Sequence, residues 1–184
     1  LGRNQPIATE GLLFVWGVNV TGEVGDGTTT ERSSPVQIGS DTTWIAFAGG
    51  HVNQPAKGLK SDGTLWVWGS GITGEHGLNN TTNYSSPIQL GSLANWTSLL
   101  NATEAEQSHI INSDGELFGW GINGNGQVGD GTTVRRSSPV QIGSLTNWAH
   151  GHGCDKFTLA IKTDGSMWSW GANYKGNNGV GTES

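Results

Sequence analysis

A fixed internal period constrains this chain more than any other feature, because the chain says nearly the same thing three times. "GDGTTTERSSPVQIGSDTTW" runs from Gly25 to Trp44, "GLNNTTNYSSPIQLGSLANW" from Gly77 to Trp96, and "GDGTTVRRSSPVQIGSLTNW" from Gly129 to Trp148. Trp-Gly pairs begin at Trp16, Trp68, Trp120 and Trp170, so the spacings are 52, 52 and 50. Pro35, Pro87 and Pro139 keep the 52-residue interval, and an acidic-Gly pair precedes each Trp-Gly by six residues: Glu10-Gly11, Asp62-Gly63, Asp114-Gly115 and Asp164-Gly165. Between Gly22–Trp44 and Gly126–Trp148, 18 of 23 positions are identical. Self-similarity on this scale marks a repeat architecture in which each unit buries its apolar surface against the next.

Each period reads as four short strands. "VQIG" follows Pro139, which suits a strand's first position because proline has no N–H to pair. The Trp-led "WIAFA" comes next, then a segment such as "TLAIK", then "SMWSW". Asp-Gly between the last two predicts a tight hairpin, since glycine tolerates the positive φ of a primed turn. Alternation puts Trp66 with Trp68, and Trp168 with Trp170, on one strand face. No 3.6-residue apolar period is present, so the chain is read as all-β. The 31 glycines supply turns, and the nine tryptophans supply the aromatic surface that a disordered chain lacks. Four strands in about 50 residues is the size of a β-propeller blade, so 184 residues hold about 3.5 blades. The expected units span residues 10–61, 62–113 and 114–163, with a partial one at 164–184.

These linked motifs ("NxxGxxGDGT", "SSP" and "DGxxWxWG") make the chain resemble the repeat family named for the regulator of chromosome condensation, from about Glu10 to Gly179. The resemblance implies a seven-bladed propeller of four-stranded antiparallel blades, about half of which this sequence would supply. It therefore leads us to expect a piece of a longer chain, the remaining blades coming from that chain or from a second copy. An open array would expose apolar blade faces, with Trp16 and Trp170 expected on them. The near-identical, Thr/Ser/Asn/Gly-rich copies are similar to the bacterial and viral branch of the family, which implies an extracellular, cell-surface or virion setting.

Several function classes drop out. Net charge is −6 and the Lys and Arg residues are scattered, so no footprint for nucleic acid or an anionic membrane is visible. No apolar run approaches the length of a membrane-crossing helix, and membrane insertion is not expected. Cys154 is the single cysteine, so no internal disulfide can form. Gly124, Gly126 and Gly129 fit GxGxxG, but no helix pattern follows to hold a phosphate, and the segment reads as a turn. His150, His152 and Cys154 alternate and would share a strand face, yet zinc needs a fourth ligand that the sequence does not offer. Asp before Gly-Thr at Asp26 and Asp130 is explained by local Asx-type turns more simply than by calcium. We therefore expect no metal and no cofactor. The serines before each proline recur in every copy, so they are framework and not a nucleophile, and no catalytic residues are assigned. Six N-x-S/T sequons, at Asn19, Asn79, Asn80, Asn83, Asn95 and Asn101, follow from the Asn/Thr-rich composition.

What differs among copies points to binding. The framework is nearly constant, while residues 47–58, 99–108 and 149–157 share almost nothing, and loops on a rigid scaffold commonly carry recognition. Phe47, His51, Asn53, Glu104, Glu106, His150, His152 and Phe157 are the expected contact residues. The leading expectation is a non-enzymatic interaction module that binds another protein or a surface glycan. The resemblance also leaves open guanine-nucleotide exchange on a small GTPase and inhibition of a hydrolase by a secreted relative, although no exchange-active residue carries over.

Overall fold

The computed structural model describes residues 10–49, 54–100, 107–176, 178, 179 and 181, and among these there is no helix. The described residues form thirteen strands in four antiparallel sheets. The first holds β1 (Phe14–Gly17) and β2 (Arg32–Gln37). The second is complete, with β3 (Trp44–Ala48), β4 (Pro55–Lys60), β5 (Leu65–Gly69) and β6 (Tyr84–Gln89). β7 (Trp96–Leu100), β8 (Gln107–Asn112), β9 (Leu117–Gly121) and β10 (Arg136–Gln141) make the third. β11 (Trp148–Gly153), β12 (Phe157–Lys162) and β13 (Met167–Gly171) make the fourth. β3 packs on β7 and β7 on β11, so the first strands converge and the fourth strands lie outermost. The all-β expectation holds, and sheet and sequence period are out of phase: residues 10–61 supply two strands to one sheet and two to the next.

Two local expectations need correction. The strand around Val140 starts four residues early, at Arg136, and Pro139 lies inside it. The proline is tolerated because β10 is an edge strand whose register breaks between Arg136 and Val140, so its missing N–H leaves no ladder partner unpaired. The Asp-Gly hairpin is also not a two-residue primed turn. Leu59 pairs with Leu65, the Lys60 N–H reaches the Thr64 carbonyl, and of the three loop residues only Gly63 has positive φ. That is a turn closed by a left-handed glycine.

The core lies between sheets. Leu59, Leu65, Val67 and Leu90 of the second sheet meet Trp96, Ile110 and Trp120 of the third. Leu100, Ile111, Leu117 and Ile142 then meet Trp148 and Ala160 of the fourth. A recurring lock fixes each contact. The indole N–H of Trp68 donates to the Glu23 carbonyl at 2.9 Å, that of Trp120 to Glu75 at 2.7 Å and that of Trp170 to Gln127 at 3.0 Å. Each ring lies against a glycine of the receiving loop: a methyl on Gly25 would stand 2.6 Å from Trp68 Nε1, and one on Gly77 2.9 Å from Trp120 Nε1. Both glycines have φ above +80°, a conformation that a side chain would strain anyway. A second lacing explains the Ser-Ser-Pro motif. The Gly27 N–H donates to the Ser85 carbonyl at 2.8 Å, and the Asn79 N–H to the Ser137 carbonyl at 2.7 Å.

Asn19 and Asn123 staple the receiving loops from inside. The Asn123 amide donates to Asp130 Oδ1 and to the Thr132 and Val134 carbonyls, each at 3.0 Å, while its oxygen accepts from the Val128 N–H at 2.9 Å. The expected Asx turns are there as well, with Asp26 Oδ1 accepting from the Thr28 N–H at 3.0 Å. In the middle copy Gly71 stands at the asparagine position and the His76 ring closes over it, its Nε2 at 3.1 Å from the Gly69 carbonyl. Asn123→Ala strands several buried groups at once. We expect it to lower stability by about 2–4 kcal/mol, read as a fall in the urea midpoint at constant slope.

Candidate functional site

In the second, third and fourth sheets the first and third strands run the same way. β3, β7 and β11 therefore end at one edge, where β4, β8 and β12 begin and from which the receiving loops after β5 and β9 leave. The Asp-Gly hairpins and the links such as 142–147 lie at the opposite end. This common edge of strand ends on a locked framework, with residues 154–156, forms the candidate interaction face.

Of the residues expected there, His51, Asn53, Glu104 and Glu106 lie outside the described residues. Phe47 is partly exposed on β3, its ring 5.9 Å from that of Trp68 and tilted by 35°. Phe157 opens β12 and is half-buried. Its carbonyl accepts from the Cys154 N–H at 2.9 Å and from Gln107 Nε2 at 3.3 Å, while Gln107 Nε2 also donates to the Cys154 carbonyl at 2.6 Å. Gln107 thus ties the stem of the second variable loop to that of the third. His150 and His152 are exposed, but they point elsewhere. Between them Gly151 meets Leu100 of the preceding sheet, so the two imidazoles project from the far side of the fourth sheet. By register, His152 stands where Ala48 and Leu100 stand, positions that are buried in the sheets before it. Cys154 lies beyond the end of β11, in the turn, and burial pushes its thiol up from the ordinary value. Among the described residues no three His, Cys, Asp or Glu side chains converge as metal ligands.

A buried polar girdle beneath this face has no counterpart in the sequence reading. Lys57 on β4, His109 on β8 and Glu75 and His76 of a receiving loop are all buried. Burial pulls the Lys57 ammonium down to about 8, with the Glu75 carboxylate working the other way. Burial also holds His109 down to about 4, against the help of its hydrogen bond to Val128 and reinforced by the nearby Lys57 charge. A carbonyl only accepts, so His109 Nε2 carries the proton and donates to Val128 at 3.0 Å, while Nδ1 has no partner among the described residues. Lys57, His109 and Leu159 occupy one register position on the second strands, buried at the first two and partly buried at Leu159.

The comparisons with known proteins bear on this arrangement. The sequence model of the regulator of chromosome condensation (RCC1) repeat matches residues 10–52 and 114–161. Those two stretches are RCC1 repeats. The ultraviolet-B receptor UVR8 of Arabidopsis thaliana is 29% identical over 142 residues, which are 74% of this chain and 31% of the receptor. The probable E3 ubiquitin-protein ligase HERC4 of Mus musculus is 26% identical over 154 residues, 80% of this chain but 14% of the ligase. The chain thus spans less than a third of these curated relatives. Among solved structures, human WBSCR16 superposes with a TM-score of 0.78 at 22% identity, over 95% of this chain and 46% of that one. Prp20p of Saccharomyces cerevisiae, described with its binding to Gsp1p and histones, gives 0.76 at 19% identity, over 94% of this chain and 44% of that one. At such identities the superpositions show the fold alone, and that fold is the RCC1-type propeller expected from the Trp-Gly, Asp-Gly and Ser-Ser-Pro motifs. In RCC1-repeat terms the locks are contacts between blades.

Proposed function

We propose that these RCC1 repeats form a non-enzymatic interaction module that presents the loops at 49–54, 101–106 and 154–156 to another protein. The observation that carries this reading is the lacing by Gln107, which ties the start of β8 to Cys154 and Phe157 at one edge, while the framework barely changes between copies. The net charge of −6 favours a partner surface rich in Lys and Arg. Binding of a yeast relative to histones and to Gsp1p is in keeping with that, and nucleotide exchange is the alternative outcome of the test. An extracellular, cell-surface or virion setting stays attached to this proposal through the branch resemblance alone.

Further blades complete the module in our reading. Leu12, Phe14, Trp16, Val18 and Val20 alternate along and beyond β1 and are all exposed, whereas Trp68, the counterpart of Trp16, is fully buried by the preceding sheet. Trp170, expected on an open face, instead points back at Gln127 and His109, and Met167 and Trp168 are the exposed residues of β13. Two of the four sheets among the described residues are partial, with two and three strands, and the missing strands and blades come from the same longer chain or from a second copy. The experiment is a titration with core histones and, separately, a Ran-type GTPase. Phe47→Ala with Phe157→Ala should weaken binding at least fivefold, while Leu145→Ala at the opposite end should not. The reverse pattern overturns the proposal, and accelerated nucleotide release shifts it to exchange.

A further inference from the structure

The clefts between successive sheets are built from equivalent residues but differ in chemistry. One, of about 320 Å³, is lined by Asp26, Asp41, Trp44, Lys60, Trp66 and Pro87. Lys60 Nζ stands 3.9 Å from the Trp66 ring centroid and 2.6 Å from Asp41 Oδ2, which with Thr43 holds the Asp41 carboxyl down to about 2. The next, of about 350 Å³, is lined one period later by Leu78, Leu90, Leu93, Trp96, Phe118 and Pro139. Each charged wall has become neutral. Leu78 replaces Asp26 and Leu93 replaces Asp41, while Asn112 stands for Lys60 and turns aside to donate to Glu116 Oε2 at 2.7 Å.

This neutral cleft is held open. Phe118 meets Trp96 edge-to-face, with centroids 5.1 Å apart and planes at 86°. Trp96 is buried, and its indole N–H has no acceptor among the described residues. At the rim Asn79 replaces the glycine found at 27 and 131. It is the only described non-glycine residue with positive φ, +57°, and its Oδ1 accepts from Ser137 Oγ at 2.9 Å. The pinned walls cannot collapse onto the space, and Leu93 is left half in water. An apolar, preformed hollow with one buried donor and an amide at its mouth matches an uncharged side chain better than an ion.

We propose that this cleft between the second and third sheets receives one uncharged apolar side chain, leucine- to phenylalanine-sized, from a partner protein. The assignment deepens the interaction-module reading and rests on it, but it concerns a site away from the variable loops. A Lys or Arg side chain is disfavoured, because the sister cleft shows what the scaffold installs around a cation, and here that acid is gone.

Saturation-transfer NMR with capped amino acids tests this without needing the partner. N-acetyl-phenylalaninamide and N-acetyl-leucinamide at about 10 mM should give signals that saturate in the millimolar range, the scale of one buried side chain, and N-acetyl-lysinamide should give none. Leu93→Asp, at a half-exposed position, should weaken binding at least tenfold with an unchanged melting temperature, and Leu78→Asp with Leu93→Asp, which restores the walls of the sister cleft, should weaken it further. Leu78 packs in part on the core, so the single variant carries the test wherever the double one melts lower. Equal signals from the lysine derivative, unweakened binding to the double variant, or no signal from the apolar probes would each overturn the assignment. Phe47→Ala with Phe157→Ala should leave these signals untouched, which separates failure here from failure of the loop-face reading.

Discussion

Trp120→Ala is expected to remove about 3–5 kcal/mol of stability, while Trp16→Ala changes it by less than about 0.5 kcal/mol. The two tryptophans hold the same place in the repeat, so propensity and local sequence cancel in the comparison. Trp120 is fully buried between sheets, and its N–H satisfies the Glu75 carbonyl, whereas Trp16 is 59% exposed and makes no such lock among the described residues. Truncation at 120 leaves a cavity beside Gly77 and an orphaned carbonyl, and both costs fall on the second-to-third sheet contact. A domain of this size holds only about 5–15 kcal/mol in all, so the loss would be visible as a large fall in the denaturant midpoint. Equal effects from the two substitutions would show that the lock is not what joins the sheets.

Acid should destabilise the protein well before its carboxylates titrate. His109 is held down to about 4 in the fold, against about 6.5 when unfolded. The unfolded chain therefore binds the extra proton first. Stability is intact above about pH 6.5 and is lost as pH falls towards 4, by about 3 kcal/mol for a depression of this size. His76 shifts in the same direction, mainly through burial, and adds to the effect. The aspartates held low, Asp26, Asp41 and Asp130, act only below their ordinary range and so leave this window to the histidines. Replacing His109 by Gln keeps a donor for Val128 and should flatten the profile between pH 6.5 and 4, as followed by thermal melts. A wild-type melting temperature constant across that range would contradict the girdle's role.

The framework was legible because its signals are local and repeat. Asp-Gly marked each hairpin, alternation put Trp66 and Trp68 on one face, and the 52-residue period announced stacked sheets. What escaped notice depends on partners far away in the chain. The strand start at Arg136 was hidden because Pro139 looks like a boundary until one knows that β10 is an edge and that Ser137 bonds Asn79, 58 residues earlier. The three-residue Asp-Gly loop depends on the bond from the Lys60 N–H to the Thr64 carbonyl across it, which the dipeptide does not encode. His150 and His152 were readable as exposed. Their face was not, since that follows from which side of β11 meets Leu100. The girdle required knowing that both residues face inter-sheet layers, Lys57 beside Val67 towards the third sheet and His109 against Trp170 of the fourth.

The locks also bear on how the sheets find their order. Trp68, Trp120 and Trp170 enter receiving loops of almost the same geometry, so any of these tryptophans would suit any of the sockets. Sequence order therefore cannot be written in the locks themselves. It is carried by the covalent links between an outer strand and the next inner one, and by the few places where neighbouring clefts disagree, such as Asp41 and Lys60 against Leu93 and Asn112. A chain with interchangeable couplings gains stability by counting repeats. It assigns each sheet its neighbour through tether length and a handful of distinguishing side chains, in the way that identical carriages are ordered by their couplings to the next and not by their shape.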